Sequence, residues 1–526
     1  MNKYVLFFVI SHFSLLMIGQ TNAPLSHSYY SYLEKDMHEI GVSKHTSFKP
    51  FLYSFDDTIF YNSFKPIISK KSIIHTFLNS DLLSIKHADY SFALNPLFHF
   101  EIGEDNDRRY INTRGVEVKG RVGEKLSFYS SFYENQMLLP NYLEDYVRNN
   151  ENVVPGQGMV KYNLLYQEGI MDFYYATGYI NYDINKFFKL QLGHGKHFIG
   201  DGYRSMILSD NSFNYPYLKI TTDVWKLKYV NLFSYLQDIN LDIDLPYISK
   251  SKFSAIHYLS TNLCERLNIG IFESIILAED SLGNMFDINY MNPIIFYRPV
   301  EYSIGYSRYG NALLGLSIKY KITSTSHLYG QLVLDEFRLD DFRAQNGAWR
   351  NKYGGQVGVK YFDAFGFEHL TFQSEVNFAK PFTYSHFNPL QNYAHYAQPL
   401  AHPLGTSFLE NVSFIRYRKD RWTADLKLIH AKYGGEITGD TTNYGSDIFI
   451  SYNENFKELG NDIAQGNTSN LKIIDIRVGY IVNPKTNMKI ELGIINRSLN
   501  DRNTSTDNQY LFFSFKTDLQ NFYYDF

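Results

Sequence analysis

The run Gly193-His194-Gly195-Lys196-His197-Phe198-Ile199-Gly200-Asp201-Gly202-Tyr203-Arg204-Ser205 gathers two imidazoles, a carboxylate and a hydroxyl. Ser205, His197 and Asp201 are the residue types of a hydrolase's nucleophile, base and orienting acid, which act only when in contact. Their spacing supplies no such geometry. His194 and His197 stand three apart and point to opposite faces of a strand, a poor arrangement for sharing a metal. The run also fails the phosphate-loop pattern G-x4-G-K-[ST]. Its glycines suit a strand end where the chain bends inward at a barrel mouth, and that reading is preferred.

A second cluster lies between Thr383 and Gly405. His386, His395 and His402 are spaced nine and seven apart, which matches no common metal site. Tyr384, Phe387, Tyr393 and Tyr396 stand among Asn388, Gln391, Asn392 and Gln398. Flat rings beside amides can hold a sugar, but such rings also pack on each other and on a membrane-interface girdle. Packing ranks first, glycan contact second and metal last. No cofactor, metal or catalytic residue is expected. The single cysteine, Cys264, excludes an intramolecular disulfide and reads as a small buried apolar group.

The elements that must position these residues are strands. Ile474, Ile476, Val478, Tyr480 and Val482 take every second position, and Met488, Ile490, Leu492 and Ile494 repeat the pattern after the turn 483–487. Successive strand side chains point to opposite faces, so this hairpin has one oily and one charged face. Similar pairs run from Tyr174 to Leu192, Ala255 to Ile271 and Leu314 to Leu334, with further alternation in 370–378 and 422–428. Short turns alternate with long polar excursions near 137–158, 196–222, 279–311, 336–352, 379–410 and 432–470. Transmembrane barrels show this asymmetry, with short periplasmic turns and long extracellular loops. The fold class is therefore all-β: a transmembrane antiparallel β-barrel of roughly 14–18 strands over residues 91–526. A soluble sandwich or propeller is the disfavoured rival. The charges assigned to the inner face are Glu375, Asp425, Lys427, Asp475, Arg477, Lys489 and Glu491. Their mixed signs suit internal salt bridges or a self-filled lumen better than a selective pore.

Composition agrees. Aromatics reach 17 %, with 45 Tyr and 42 Phe, as interface girdles require. Net charge is −4 and no basic stripe marks a nucleic-acid binder. Residues 1–19 read as a signal peptide: Lys3, then an apolar stretch from Val5 to Ile18, then small residues. Residues 20–90 read as a periplasmic N-terminal region with short helices. Tyr29, Leu33, Met37 and Ile40 form one helix-like stripe, and Ile73, Ile74, Phe77 and Leu78 a second. The ending Asn521-Phe522-Tyr523-Tyr524-Asp525-Phe526 follows an alternating last strand, and its terminal aromatic is similar to the signal read by barrel-assembly machinery.

Several segments carry a family resemblance. They include 93–98 (ALNPLF), 110–115 (YINTRG), 132–136 (FYENQ), 154–158 (VPGQG), 193–210, 292–299 (NPIIFYRP), 389–393 (PLQNY) and 523–526 (YYDF). With these the chain resembles the RemB-like gliding-motility family of Bacteroidetes-type bacteria, itself related to the Wzi capsule-assembly barrels. The resemblance implies an outer-membrane, surface-facing, non-enzymatic protein that acts in gliding motility and cell-surface polysaccharide attachment. The alternatives are a transport pore or a scaffold for a secretion or motility machine. Expected partners are outer-membrane lipid, a surface polysaccharide and motility or secretion proteins. The loops 196–222, 279–311 and 379–410 are expected to make contact, with Tyr203, Arg204, Asn214, Tyr215, Tyr297, Arg298, Tyr384, His386, Asn392 and Tyr393 as ligand-binding candidates.

Overall fold

Eighteen antiparallel strands close into one barrel. They are β1 (Tyr90–Asp105), β2 (Asp107–Val122), β3 (Leu126–Leu138), β4 (Met171–Asp183), β5 (Phe188–Gly195) and β6 (Tyr215–Val224). Next come β7 (Leu227–Asn240), β8 (Ile248–Asn262), β9 (Leu267–Ala278), β10 (Asn311–Lys321), β11 (Ser326–Glu336) and β12 (Lys352–Phe362). The wall ends with β13 (Leu370–Ala379), β14 (Phe408–Lys419), β15 (Trp422–Tyr433), β16 (Ser469–Asn483), β17 (Met488–Asn500) and β18 (Ser505–Thr517). β18 pairs back onto β1, from Leu511 with Glu104 to Lys516 with His99, so no edge is left open. This computed structural model describes residues 20–54, 64, 72–161, 169–240, 248–279, 287–292, 297, 300, 310–454 and 457–526. The signal-peptide reading of 1–19 and the candidate Arg298 lie outside the described residues, as does much of the 279–311 loop.

The period-two pattern sorts the wall as expected. Ile474, Ile476, Val478, Ile490 and Leu492 are exposed on the outer face, while Asp475, Lys489 and Glu491 are buried inside. In a soluble protein such an oily exterior would need a covering layer; here acyl chains supply it. Trp225, Phe365, Phe367 and Trp422 are exposed at or beside the short turns, forming a girdle at the periplasmic rim. Cys264 sits in the turn between β8 and β9 and is exposed, which corrects the expectation of a buried thiol. The turn carries it past the end of the packed wall.

The larger correction concerns the two ends of the described chain. Residues 20–54 do not stand apart from the barrel; they pack against its inner wall, with 35–44 partly exposed at the end that carries the short turns. Gln20–Asn22 pairs with Leu52–Ser54, and Phe48–Lys49 pairs with Phe198–Ile199 of an inward-folded loop. The predicted stripe over Tyr29 to Ile40 becomes two short helices, His27–Tyr30 and Glu34–His38. Glu34 meets Lys360 of β12 at 2.8 Å, and Thr21 Oγ1 lies 2.6 Å from Tyr179 Oη of β4. The second predicted helix forms at Ile73–Asn79, capped by the Ser72 side chain. After β18, residues 518–526 also turn back into the barrel. Phe526 therefore does not end the last strand; its ring packs 4.4 Å from Tyr146. Phe513 and Phe515 are the aromatics that alternate on the closing strand itself.

Because Leu492 faces lipid, Leu492→Arg is expected to destabilise the barrel by about 2–4 kcal/mol if it sits near the bilayer midplane. Urea unfolding in lipid vesicles, read by heat-modifiable gel mobility, measures this; an unchanged midpoint would contradict the outward assignment.

Candidate functional site

The inward-folded loop between β5 and β6 organises the interior. Gly202 brings it against the wall so closely that a Cβ there would stand 2.7 Å from Glu375 Oε2. That approach lets the backbone N–H groups of Tyr203 and Arg204 donate to Glu375, at 2.8 and 2.9 Å. The Arg204 guanidinium, 1 % exposed, then donates to both oxygens of Glu410 on β14 and to Asp525 of the C-terminal tail. Asp525 also accepts from Tyr203 Oη at 2.6 Å and from Lys427 Nζ at 2.8 Å. Burial pushes the Asp525 carboxyl up, but Arg204 and Lys427 outweigh it and hold it well below the usual carboxylate range. Lys427 continues to Asp475, Asp475 to Arg477, and Arg477 to Glu491. Loop, tail and wall thus share one ionic network.

His402 joins it. Leu404 N–H donates to His402 Nδ1 at 3.1 Å, so the proton sits on Nε2, which donates to Glu410 at 2.7 Å. Burial lowers the ring's pKa even beside this carboxylate.

The second sequence cluster packs instead of opening to solvent. Tyr384 and Tyr393 stack with ring centroids 5.8 Å apart and donate their hydroxyls to the carbonyls of Met206 and Ile207. Asn392 accepts from Lys252 Nζ, and its amide donates to the carbonyl of Ile448. His395 bridges Gln237 N–H and the Asn214 carbonyl, and Asn214 donates to Thr177. Tyr215 lies beside His197, while Tyr297 meets His257 and takes Glu273 at its backbone N–H. Tyr203, Arg204, Asn214, Tyr215, Tyr297, Tyr384, His386, Asn392 and Tyr393 are all buried. They pack between loop and wall, which is the reading the sequence preferred for Tyr384, His386, Asn392 and Tyr393; Tyr203, Arg204, Asn214, Tyr215 and Tyr297 were expected at a ligand.

The imagined hydrolase triad is not assembled. Ser205 Oγ donates to the carbonyl of Ile199, while Asp201 accepts from Thr46 and pairs with Lys319. The three histidines of the second cluster go to separate partners, and among the described residues no metal-ligand group forms.

Sequence reasoning singled out His386 and Phe387 but missed Trp349 and Tyr452, which join them from two other extracellular loops. Phe387, 44 % exposed, lies 4.2 Å from His386, which is 6.0 Å from Tyr452; Trp349 is 4.9 Å from Tyr452. Lys352 Nζ sits 3.7 Å above the Tyr452 ring and pairs with Glu336. Trp349 is one of only three tryptophans and lies in a long polar excursion, a signal that was available.

These features define an outer-membrane β-barrel whose lumen is occupied by its own chain. No family model matches the chain, and no curated protein matches it. Among solved structures it is similar to Wzi of Escherichia coli, an outer-membrane protein involved in group 1 capsule assembly and a carbohydrate-binding β-barrel. That likeness has a TM-score of 0.55 at 11 % identity, over 96 % of this chain and 100 % of the other. Weaker likenesses are OprD of Pseudomonas aeruginosa, with a TM-score of 0.43 at 9 % identity over 80 % and 94 % of the two chains, and OccAB2 of Acinetobacter baumannii, at 0.43 and 10 % over 82 % and 99 %. At these identities the likeness to Wzi is one of fold.

Two outcomes follow from the ionic network. Asp525→Asn leaves two buried cations short of a partner and is expected to cost about 3–5 kcal/mol in denaturant unfolding. A depressed carboxylate contributes stability that is complete above its unfolded pKa of about 3.9 and fades as pH falls toward the folded value. The hydrogen-exchange protection factor of 518–526, which divides out the intrinsic pH dependence of exchange, is therefore expected to be the same at pH 4.5 as at pH 7 and to fall only in stronger acid; a fall between those two values would refute the pairing.

Proposed function

We propose that this protein is a non-enzymatic barrel that holds cell-surface polysaccharide, in the service of gliding motility, through its extracellular loops. The filled lumen carries the reading. Residues 20–54 pack against the inner wall, the loop 196–214 and the tail 518–526 occupy the interior, and these segments are pinned by Glu34–Lys360, Asp201–Lys319 and Arg204–Asp525. A wall filled this way is a rigid mount for loops, and loops on a rigid mount are where binding tends to sit. The fold shared with a carbohydrate-binding barrel supports the same reading.

The residues that would touch a sugar are the rings left accessible. Phe387 is exposed and Trp349 half-buried, so these two offer stacking faces, while the buried His386 and Tyr452 rings pack behind them. The buried candidates Tyr384, Asn392 and Tyr393 position this surface from beneath. The pore alternative loses its main support once the lumen is occupied.

A glycan screen of the folded protein in detergent tests the proposal. Wild type is expected to retain surface polysaccharide from its own cell, with Phe387→Ala and Trp349→Ala each weakening binding about tenfold, or roughly 1.4 kcal/mol. Cells carrying the weakened variants should glide poorly. Absence of glycan binding, together with steady single-channel conductance in planar bilayers, would replace the proposal with a transport pore.

A further inference from the structure

At the periplasmic end lies a cavity of about 670 Å³ between the N-terminal segment and strands β5 to β7. Lys219 of β6 lines it and is 2 % exposed. Among the described residues no carboxylate, carbonyl or hydroxyl accepts from its Nζ, whose neighbours are ring faces: Phe48 at 5.7 Å and Tyr217 at 6.0 Å. Of the two carboxylates among the described lining residues, Asp36 is exposed on its helix. The other, Asp223, is already divided between Lys189 at 3.0 Å and Lys228 at 2.9 Å. Burial and then the Lys228 ammonium hold the neighbouring His45 ring down at about 4, so it brings no charge of its own at neutral pH. The cavity is thus rich in amino groups, and the buried one of Lys219 has no acceptor among the described residues.

A buried ammonium is retained only where something compensates its lost hydration. An oxyanion is the natural complement, because charge-assisted N–H···O bonds are the strong ones. Phe48, Phe51 and Tyr53 in the lining supply flat apolar surface, which suits the body of a pyranose. We propose that this cavity binds an oxyanion carried on a sugar ring, a hexuronate or a short hexuronate oligomer, with its carboxylate on Lys219. The site is at the opposite end of the barrel from the aromatic loop surface and stands or falls independently of it.

Calorimetric titration of the full protein in detergent tests this, using tri-galacturonate, neutral maltotriose and inorganic phosphate at low and high salt. Tri-galacturonate is expected to bind, to weaken with salt as a charged contact must, and to outcompete both controls. Lys219→Met keeps the unbranched stem without the amino group and should lower tri-galacturonate affinity at least tenfold with heat-modifiable mobility unchanged. Asp223→Asn is the second variant: it frees two ammoniums and should tighten binding at least threefold. Phe387→Ala, at the other end, should leave this titration unaltered. Failure of tri-galacturonate to bind overturns the proposal, as does phosphate binding equally well. Should Lys219→Met not fold, unchanged affinity in Asp223→Asn overturns it too.

Discussion

The interior depends on one buried guanidinium. Arg204 sits where water cannot solvate it, so its charge must be met by protein groups of opposite sign in good geometry. Glu410 comes from the wall and Asp525 from the tail, while Arg204 itself belongs to a loop that has left the surface. Three segments far apart in sequence are therefore tied at one point. Lys427, Asp475, Arg477 and Glu491 extend the tie around the wall. Removing a member would leave its neighbours short of a partner in a poorly hydrated interior, a larger cost than the pair's net worth.

The same logic explains why the barrel is filled. Lipid forces every backbone group of the wall to be satisfied within the wall, which closes the sheet. Closing eighteen strands leaves a wide interior lined by alternate, polar side chains. Here the chain completes those side chains with its own loops, N-terminal segment and tail. What remains accessible is at the two ends: aromatic loops outside, and an amine-rich cavity between the N-terminal segment and β5–β7 within.

Much of the wall was legible because strand alternation is a local property. The pairing of Asn181 with Gln191, or of Leu259 with Ile271, follows from two short runs and the turn between them. The mixed charges on the inner face were readable for the same reason. Cys264 was misjudged because neighbouring apolar residues say nothing about how far a turn projects. Loop residues such as Tyr203 and Tyr393 were recognised as notable, but their rings and polar groups suit a ligand and a packed interior equally well.

By itself the sequence determined that strands would form, which side chains would meet lipid and which would face inward, since a period of two needs no distant partner. Only the tertiary structure decided what those inward groups would touch. Glu34 finds Lys360, Tyr203 finds Asp525, and the tail docks against Leu25, each across hundreds of residues. No local pattern encodes such pairings; they exist because a closed wall confines buried charges and polar hydrogens to one small space, where each must find a complement.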